Sequence, residues 1–428
     1  MRRASQILQL LGKCRTQFPP RDCLAELGAI SGWLPQQQQW YRTLEPITST
    51  DSSSSSNNGH VQPSHSFTSS HAAQAFALPS FGPVDPFQLV KEEIDSVSER
   101  LRRSIFTGIP TLRSAAQYFF KVGAEGKRFR PTMLLLMASS LSSVMPSPDY
   151  LTVDDRPPNV HPEEERRRQQ RIAEITEMIH VASLLHDDVI DNAEMRRGLK
   201  ALNSVFGNKI AILAGDFLLA RASVSLAALR DSEVIQLLSQ VIEDLVTGEI
   251  LQMTSTEEDL LSLDHYVRKT FHKTASLMAN SCKAIAILGG QNREVAQSAW
   301  EYGRHVGLAF QFVDDVLDFT GSTMQLGKPA LNDLKSGLAT APVLYAAEEH
   351  PELHALILRR FKCEGDVERA TELVFNSRGI QRARDLAAQH AELAVQAVQS
   401  LPACSNEHAL MCRQALTEIT ARVLARKK

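Results

Sequence analysis

The chain has 428 residues, 43% hydrophobic and 22% charged, with a formal net charge of -3, so neither a disordered polyelectrolyte nor a nucleic-acid footprint is indicated. Its six cysteines, Cys14, Cys23, Cys282, Cys363, Cys404 and Cys412, are scattered without metal-ligand spacing, which argues against a zinc site and against a disulfide framework.

Residues 1–35 read as an organelle transit peptide. Arg2, Arg3, Lys13, Arg15 and Arg21 occur with no acidic residue among them, and Ile7, Leu8, Leu10 and Leu11 form an apolar helical face. A mitochondrial address fits this arginine-rich amphipathic start, and the serine-rich stretch after it keeps a plastid as the alternative. Residues 36–84, rich in Ser, Gln and His, read as a disordered linker. Asp85-Pro86 supplies an N-cap and a first-turn proline, so a helix is expected through about Arg103 and the folded domain is taken as 85–428. From there apolar residues recur every three or four positions, as in Ile172, Ile175, Ile179 and Ala182, or Val234, Leu237, Leu238, Val241, Ile242 and Leu245. His161-Pro162, with three glutamates after it, opens another helix, because its macrodipole favours negative charge at that end. Alternating strand patterns are scarce, so the fold class is all-α, a helical bundle around a central cavity. No apolar run is judged to approach the roughly 18 residues that span a bilayer, which limits membrane contact to a peripheral one.

Two five-residue runs dominate the chemistry. Asp187-Asp188-Val189-Ile190-Asp191 and Asp314-Asp315-Val316-Leu317-Asp318 repeat the pattern DDxxD, 127 residues apart, each in apolar, helix-forming surroundings. On a helix the first and fifth positions share a face, so Asp187 pairs with Asp191 and Asp314 with Asp318. One such run is commonly a solvated acidic turn. Two, among apolar neighbours, suggest edges that hold divalent cations, and Mg²⁺ is typically bound by one or two carboxylates plus substrate phosphate oxygens. Counting back along the same helical faces leads from Asp187 to Ser183 and His180, and from Asp314 to Gln311 and Gly307. A glycine inside a helix costs about 1 kcal/mol relative to alanine, so Gly307 is expected to serve close packing or cavity width. The segment GKRFRP, residues 126–131, places Lys127, Arg128 and Arg130 before a helix expected near Thr132, a ready phosphate site. Arg196 and Arg197 come soon after the first aspartate run.

GKRFRP, IHVASLLHDDVIDNAEMRRG, GNKIAILAGDFLLARA, the Lys273-Thr274 pair, FQFVDDVLD and GKPALNDLKSG resemble, in order and spacing, the signatures of the trans-isoprenyl diphosphate synthases. Within that family the likeness is greatest to the long-chain solanesyl or decaprenyl synthases of quinone biosynthesis. It implies an isoprenoid-synthase fold, a homodimer, and Mg²⁺, two or three ions per active site. It implies that Lys127, Arg130, His180 and Arg197 bind isopentenyl diphosphate, and that Arg196, Lys273, Thr274, Gln311 and Lys328 bind the allylic diphosphate. The catalytic set it implies is Asp187, Asp188, Asp191, Asp314, Asp315, Asp318 and Lys273, with Asp187, Asp191, Asp314 and Asp318 as metal ligands. Two departures stand out: Glu125 where a second glycine often precedes GKR, and Leu338 where many relatives carry lysine, for which Lys335 is the candidate substitute.

The implied reaction ionises the allylic diphosphate to a cation, which the isopentenyl double bond attacks before a proton is lost. Ala182 and Ser183, five and four residues before Asp187, are small, and a turn of about 5.4 Å matches roughly one isoprene unit. Large rings there would stop a growing chain, so these small residues favour a long product. The rival readings are a geranylgeranyl-type shorter-chain synthase, a catalytically silent partner subunit, a terpene cyclase, and a plain metal-binding helical protein. The last leaves the basic segments unexplained.

Overall fold

The computed structural model describes residues 82–119, 128–142, 162–196, 198–321 and 331–427. All of the described residues belong to one compact unit, 75–428. The transit-peptide reading and nearly all of the linker reading therefore lie outside the described residues.

In chain order the helices are α1 (Pro86–Leu89), α2 (Lys91–Ser104), α3 (Pro110–Phe119), α4 (Phe129–Leu141), α5 (Pro162–Ile190), α6 (Leu202–Phe206), α7 (Asn208–Ala227), α8 (Ser232–Thr254), α9 (Glu257–Leu260), α10 (Leu263–Thr270), α11 (Ser276–Leu288) and α12 (Arg293–Thr320). The series continues with α13 (Asn332–Lys335), α14 (Ala341–Glu349), α15 (Glu352–Leu358), α16 (Asp366–Phe375), α17 (Gly379–Gln399) and α18 (Glu407–Leu424). One π-helical turn, Phe271–Ala275, joins α10 to α11. The strands among the described residues are Met195–Arg196 and Leu199–Lys200, an antiparallel pair just after the first aspartate run. The all-α expectation holds.

Local chemistry explains the helix starts. Asp85 accepts the Phe87 N–H with Pro86 in the first turn, as expected, although the helix breaks at Val90 before α2 continues it. Asn292 accepts the Val295 N–H at 2.8 Å to open α12. Helix α4 begins at Phe129, three residues before the expected Thr132. Pro131 is tolerated there because first-turn N–H groups have no helical acceptor anyway, and Arg128 turns the chain in with a φ of 49°.

Packing then decides which helices lie inside. From Pro131 to Leu141 every residue of α4 is buried, and α11 is nearly as enclosed, so both are largely apolar and form the middle of the bundle. Around them α5 presents Ile172, Ile175, Ile179 and Ala182 to the core. Helix α12 lies close against the π turn because Gly307 leaves room: a Cβ there would stand 2.7 Å from the Cα of Ala275. The close-packing role expected for that glycine is met. Truncating a core leucine such as Leu135, fully enclosed, costs about 3 kcal/mol in comparable interiors.

One expectation needs correction. Helix α7 has 20 residues and a mean hydropathy of 1.7 in an 18-residue window, long and apolar enough by length and composition to cross a membrane. Lys209, Asp216 and Arg221 interrupt the run and mask its apolar character in the sequence. In the fold its apolar residues divide between two faces: Ala211, Ala214, Leu218 and Ala222 enter the core, while Ile212, Leu213 and Val224 are exposed.

Candidate active site

Helix α5 carries Asp187 and Asp188, and Asp191 stands in the turn immediately after it. The amide of Asp191 donates to the carbonyl of Asp187, and Asn203 Nδ2 donates to the carbonyls of Asp188 (3.1 Å) and Ala193 (3.0 Å). These bonds satisfy carbonyls that a helix end leaves open and fix where the run stops. The Asp188 carboxylate turns inward, 1% exposed, and pairs with Arg196, whose Nε donates at 2.9 Å. Arg196 is thus engaged by the middle aspartate of the run.

Asp187 and Asp191 keep a different company. Burial raises the Asp187 carboxyl to about 6; Lys273 and Arg196 pull it down, while Glu249 and Asp191 push it further up. Asp191 is raised by burial and by Glu249 and Asp188, again opposed by Lys273 and Arg196. Lys273, in the π turn, reaches Glu249 Oε2 at 2.5 Å and donates to Gln252 at 3.3 Å. Its stem passes over Gly248 of α8, where a Cβ would lie 2.6 Å from Lys273 Cγ and 3.0 Å from its backbone nitrogen. A π turn widens the helix by one residue and is frequent at functional sites. Here it carries Lys273 and Thr274 side by side.

Thr274 leads to the second run. Its hydroxyl donates to Gln311 Oε1 at 3.1 Å, and Gln311 Nε2 donates to Asp315 at 2.9 Å. Tyr266 of α10 donates its hydroxyl to the other Asp315 oxygen. Asp315 is 1% exposed; burial, then the nearby Asp333, push its carboxyl well up, with the Tyr266 and Gln311 bonds opposing. Lys269 connects both halves: burial lowers its ammonium, Asp315, Asp333 and Glu249 hold it up, and Lys273 repels it. Asp318 is fully buried, accepting the Asp333 N–H at 3.0 Å on its side chain and the Leu331 N–H on its carbonyl. Asp314 is the most accessible member, 34% exposed at its side chain, with Arg426 Nη1 2.8 Å from its Oδ1.

Among the expected isopentenyl diphosphate residues, Arg130 Nη1 and His180 Nε2 lie 3.0 Å apart, joining α4 to α5. Ser183 donates back to the His180 carbonyl at 2.9 Å, and Ala182 is fully enclosed. Lys127, Arg197 and Lys328 lie outside the described residues. Lys335, the candidate substitute for the missing family lysine, ends α13 on the exposed side. Glu249, Gln252, Lys269, Tyr266 and Arg426 join the site without belonging to any of the motifs. The signal in the chain for the first two is GEILQ, a mid-helix glycine beside two polar residues one turn apart.

These donors suit a hard cation. Among the described residues no three carboxylate, imidazole or thiol groups converge on one point, so water and substrate oxygens must complete any coordination shell, which is the habit of Mg²⁺. The excess negative charge around the raised Asp187 is what such a cation would relieve.

Fold and site together define a helical enzyme in which one short segment, Lys273-Thr274, connects to both aspartate runs. The chain belongs to the polyprenyl synthetase family, whose model matches residues 109–374, and it is a prenyltransferase. It is 52% identical over 344 residues to solanesyl-diphosphate synthase 1, mitochondrial, of Oryza sativa subsp. japonica, covering 80% of this chain and 79% of that one. Solanesyl diphosphate synthase 3, chloroplastic/mitochondrial, of Arabidopsis thaliana is 51% identical over 345 residues, covering 81% of each. The apo form of an Arabidopsis medium/long-chain length prenyl pyrophosphate synthase superposes with a TM-score of 0.65 at 46% identity, covering 81% of this chain and 100% of that one.

Proposed function

We propose that this enzyme condenses isopentenyl diphosphate onto farnesyl or geranylgeranyl diphosphate and repeats the step to a long, solanesyl-type diphosphate for the ubiquinone side chain. One observation carries the reading: Lys273 and Thr274 stand together at the junction, Lys273 acting on Asp187 and Asp191, Thr274 bonded through Gln311 to Asp315. Both aspartate runs are thereby tied to one short segment. The high identity to two solanesyl synthases supports the long product.

Asp187, Asp191 and Asp314 are the residues that would hold Mg²⁺, two or three ions per site; Asp318, the fourth ligand expected from the resemblance, is buried with one oxygen on the Asp333 amide and is left out of the set. When bound, Mg²⁺ neutralises the leaving diphosphate. Lys273, released from Glu249, supplies positive charge to the same oxygens as the carbon–oxygen bond breaks. Arg130 and His180, with Lys127 and Arg197, hold isopentenyl diphosphate so that its double bond meets the allylic cation. Asp188, Asp315 and Asp318 act as positioning residues, since each has a carboxylate oxygen held, by Arg196, by Tyr266 and Gln311, and by the Asp333 amide respectively.

The exposed apolar faces of α7 and α8 support a homodimer. Ile212, Leu213 and Val224 on one helix, with Val246, Ile250 and Met253 on the other, offer the surface an isologous contact needs. Light scattering of the purified chain should give twice the monomer mass. A transit segment over residues 1–35 and a linker to residue 84 accord with the mitochondrial names among the relatives, and the plastid address stays the alternative, to be decided by a fluorescent fusion of residues 1–80.

The decisive assay supplies Mg²⁺, labelled isopentenyl diphosphate and farnesyl or geranylgeranyl diphosphate, then resolves products by reversed-phase chromatography. Linear products beyond twenty carbons are expected. Cyclised product, product stopping at twenty carbons, or no turnover by the purified chain would each reject the long-chain proposal.

A further inference from the structure

The last helix ends in a basic tail whose arginines go to different places. Arg422 turns outward to Glu418 and Asp85, each at 2.8 Å, an ordinary surface arrangement. Arg426, one turn later and just past the Ala425 C-cap, turns the other way. Its guanidinium lies over the ring of Phe310, 4.1 Å from the centroid, and reaches Asp314 at 2.8 Å. Phe310 and Asp314 are four residues apart on α12 and share a face, so one side chain covers both. The contact is sheltered, with the two side chains 24% and 34% exposed. Phe310 in turn packs against Phe129 at 5.4 Å, between Arg128 and Arg130 of the basic segment. Asp315 and Asp318 are buried and engaged, so Arg426 sits on the most accessible carboxylate of the second run.

We propose that Arg426 is a resident counter-cation of the second aspartate edge: in the ligand-free enzyme it holds Asp314, and a divalent metal must displace it to bind there. This rests on the reading of Asp314 as a metal ligand. A guanidinium is a permanent cation, so the contact is not removed by pH in the working range. Stacking on Phe310 adds to the ion pair and preorganises it. Among the described residues no guanidinium or ammonium pairs directly with Asp187 or Asp191, Lys273 being drawn aside by Glu249 and Gln252. Metal loading is therefore unequal: the Asp187–Asp191 edge fills first, and the Asp314 edge fills when a diphosphate brings enough negative charge to attract both the metal and the released guanidinium. The C-terminal residues thus tie occupancy of the second edge to arrival of the substrate diphosphate.

The test is Mn²⁺ binding to the full chain without substrate, read as the loss of the free-ion electron paramagnetic resonance signal. Arg426→Ala should lower the Kd of the weaker class of sites about fivefold, the scale of a sheltered surface pair plus a cation–π contact. A chain ending at Ala425 should behave the same way, and both should still melt in one cooperative circular-dichroism transition. In an Asp314→Asn background Arg426→Ala should change nothing. An unaltered isotherm in Arg426→Ala, a weakened one, or a gain that survives Asp314→Asn would overturn the proposal while leaving the metal reading in place. Failure of the wild type and of Arg426→Ala alike to bind Mn²⁺ even with inorganic diphosphate would overturn both.

Discussion

The two aspartate runs share one five-residue pattern and have different fates. In the first, the outer pair Asp187 and Asp191 faces Lys273 and Glu249, and the middle residue Asp188 is turned in to Arg196. In the second, only the leading Asp314 is accessible; Asp315 is held by Tyr266 and Gln311, and Asp318 by the Asp333 amide. The cause is position along the helix. Asp191 falls just beyond the end of α5, where the chain is turning outward, whereas α12 runs to Thr320 and keeps Asp318 inside it under the residues 331–333. The same spacing therefore leaves two at least partly accessible carboxylates in the first run, Asp187 and Asp191, and one in the second, Asp314, with Asp315 and Asp318 buried.

The largest test of that contrast is a pair of isosteric changes. Asp187→Asn should lower kcat/KM about a thousandfold, as expected for loss of a principal electrostatic group, with a melting temperature near that of the wild type. Asp318→Asn should instead show itself in stability, by about 2 kcal/mol in a denaturant titration, with a far smaller kinetic loss. Equal kinetic losses would erase the distinction. Next in size is Gly248→Ala, which pushes on the stem of Lys273 and should reduce turnover about a hundredfold, the scale of a misplacement near 1 Å. Its melting curve would separate this from general unfolding.

Product length sharpens the same comparison. Ala182 and Ala309 each lie five residues before an aspartate run, and both are fully enclosed. Ala182→Phe should shorten the main product, read by reversed-phase chromatography; Ala309→Phe should destabilise the fold without shortening the product, since it lies behind the run whose Asp315 and Asp318 are buried. An unchanged length in Ala182→Phe would move the floor of the cavity elsewhere.

A test of a different kind is pH dependence, and it concerns the helix packed against that of the second run. His390 of α17 packs on Phe312 and lies 2.8 Å from His305, ring nitrogen to ring nitrogen. Burial, then His305 and Arg304, push its imidazole down to about 3. Above the ordinary value near 6.5 neither folded nor unfolded chain carries the proton. Between about 6.5 and 3 the unfolded chain takes it and the folded one does not, so stability should fall as pH falls through that window, by up to a few kcal/mol. Melting curves at pH 7 and 5 should differ, and His390→Gln should narrow the gap without changing Mn²⁺ binding at the first edge.

Much of this was legible in the residues. Apolar spacing along α5 and α8 set the helical class, Asp85-Pro86 and the glutamates after Pro162 marked two starts, and DDxxD placed carboxylates on shared faces, because helix periodicity and end chemistry depend only on near neighbours. The hidden part is what crosses between helices. The turning of Asp188 toward Arg196, the passage of Lys273 over Gly248 to Glu249, and the seating of Arg426 on Asp314 join residues 8, 24 and 112 positions apart in the chain. Burial and pairing of a carboxylate are set by the groups that packing brings to it, and no local spacing records those; a repeated motif names the candidates, and the tertiary contacts choose among them.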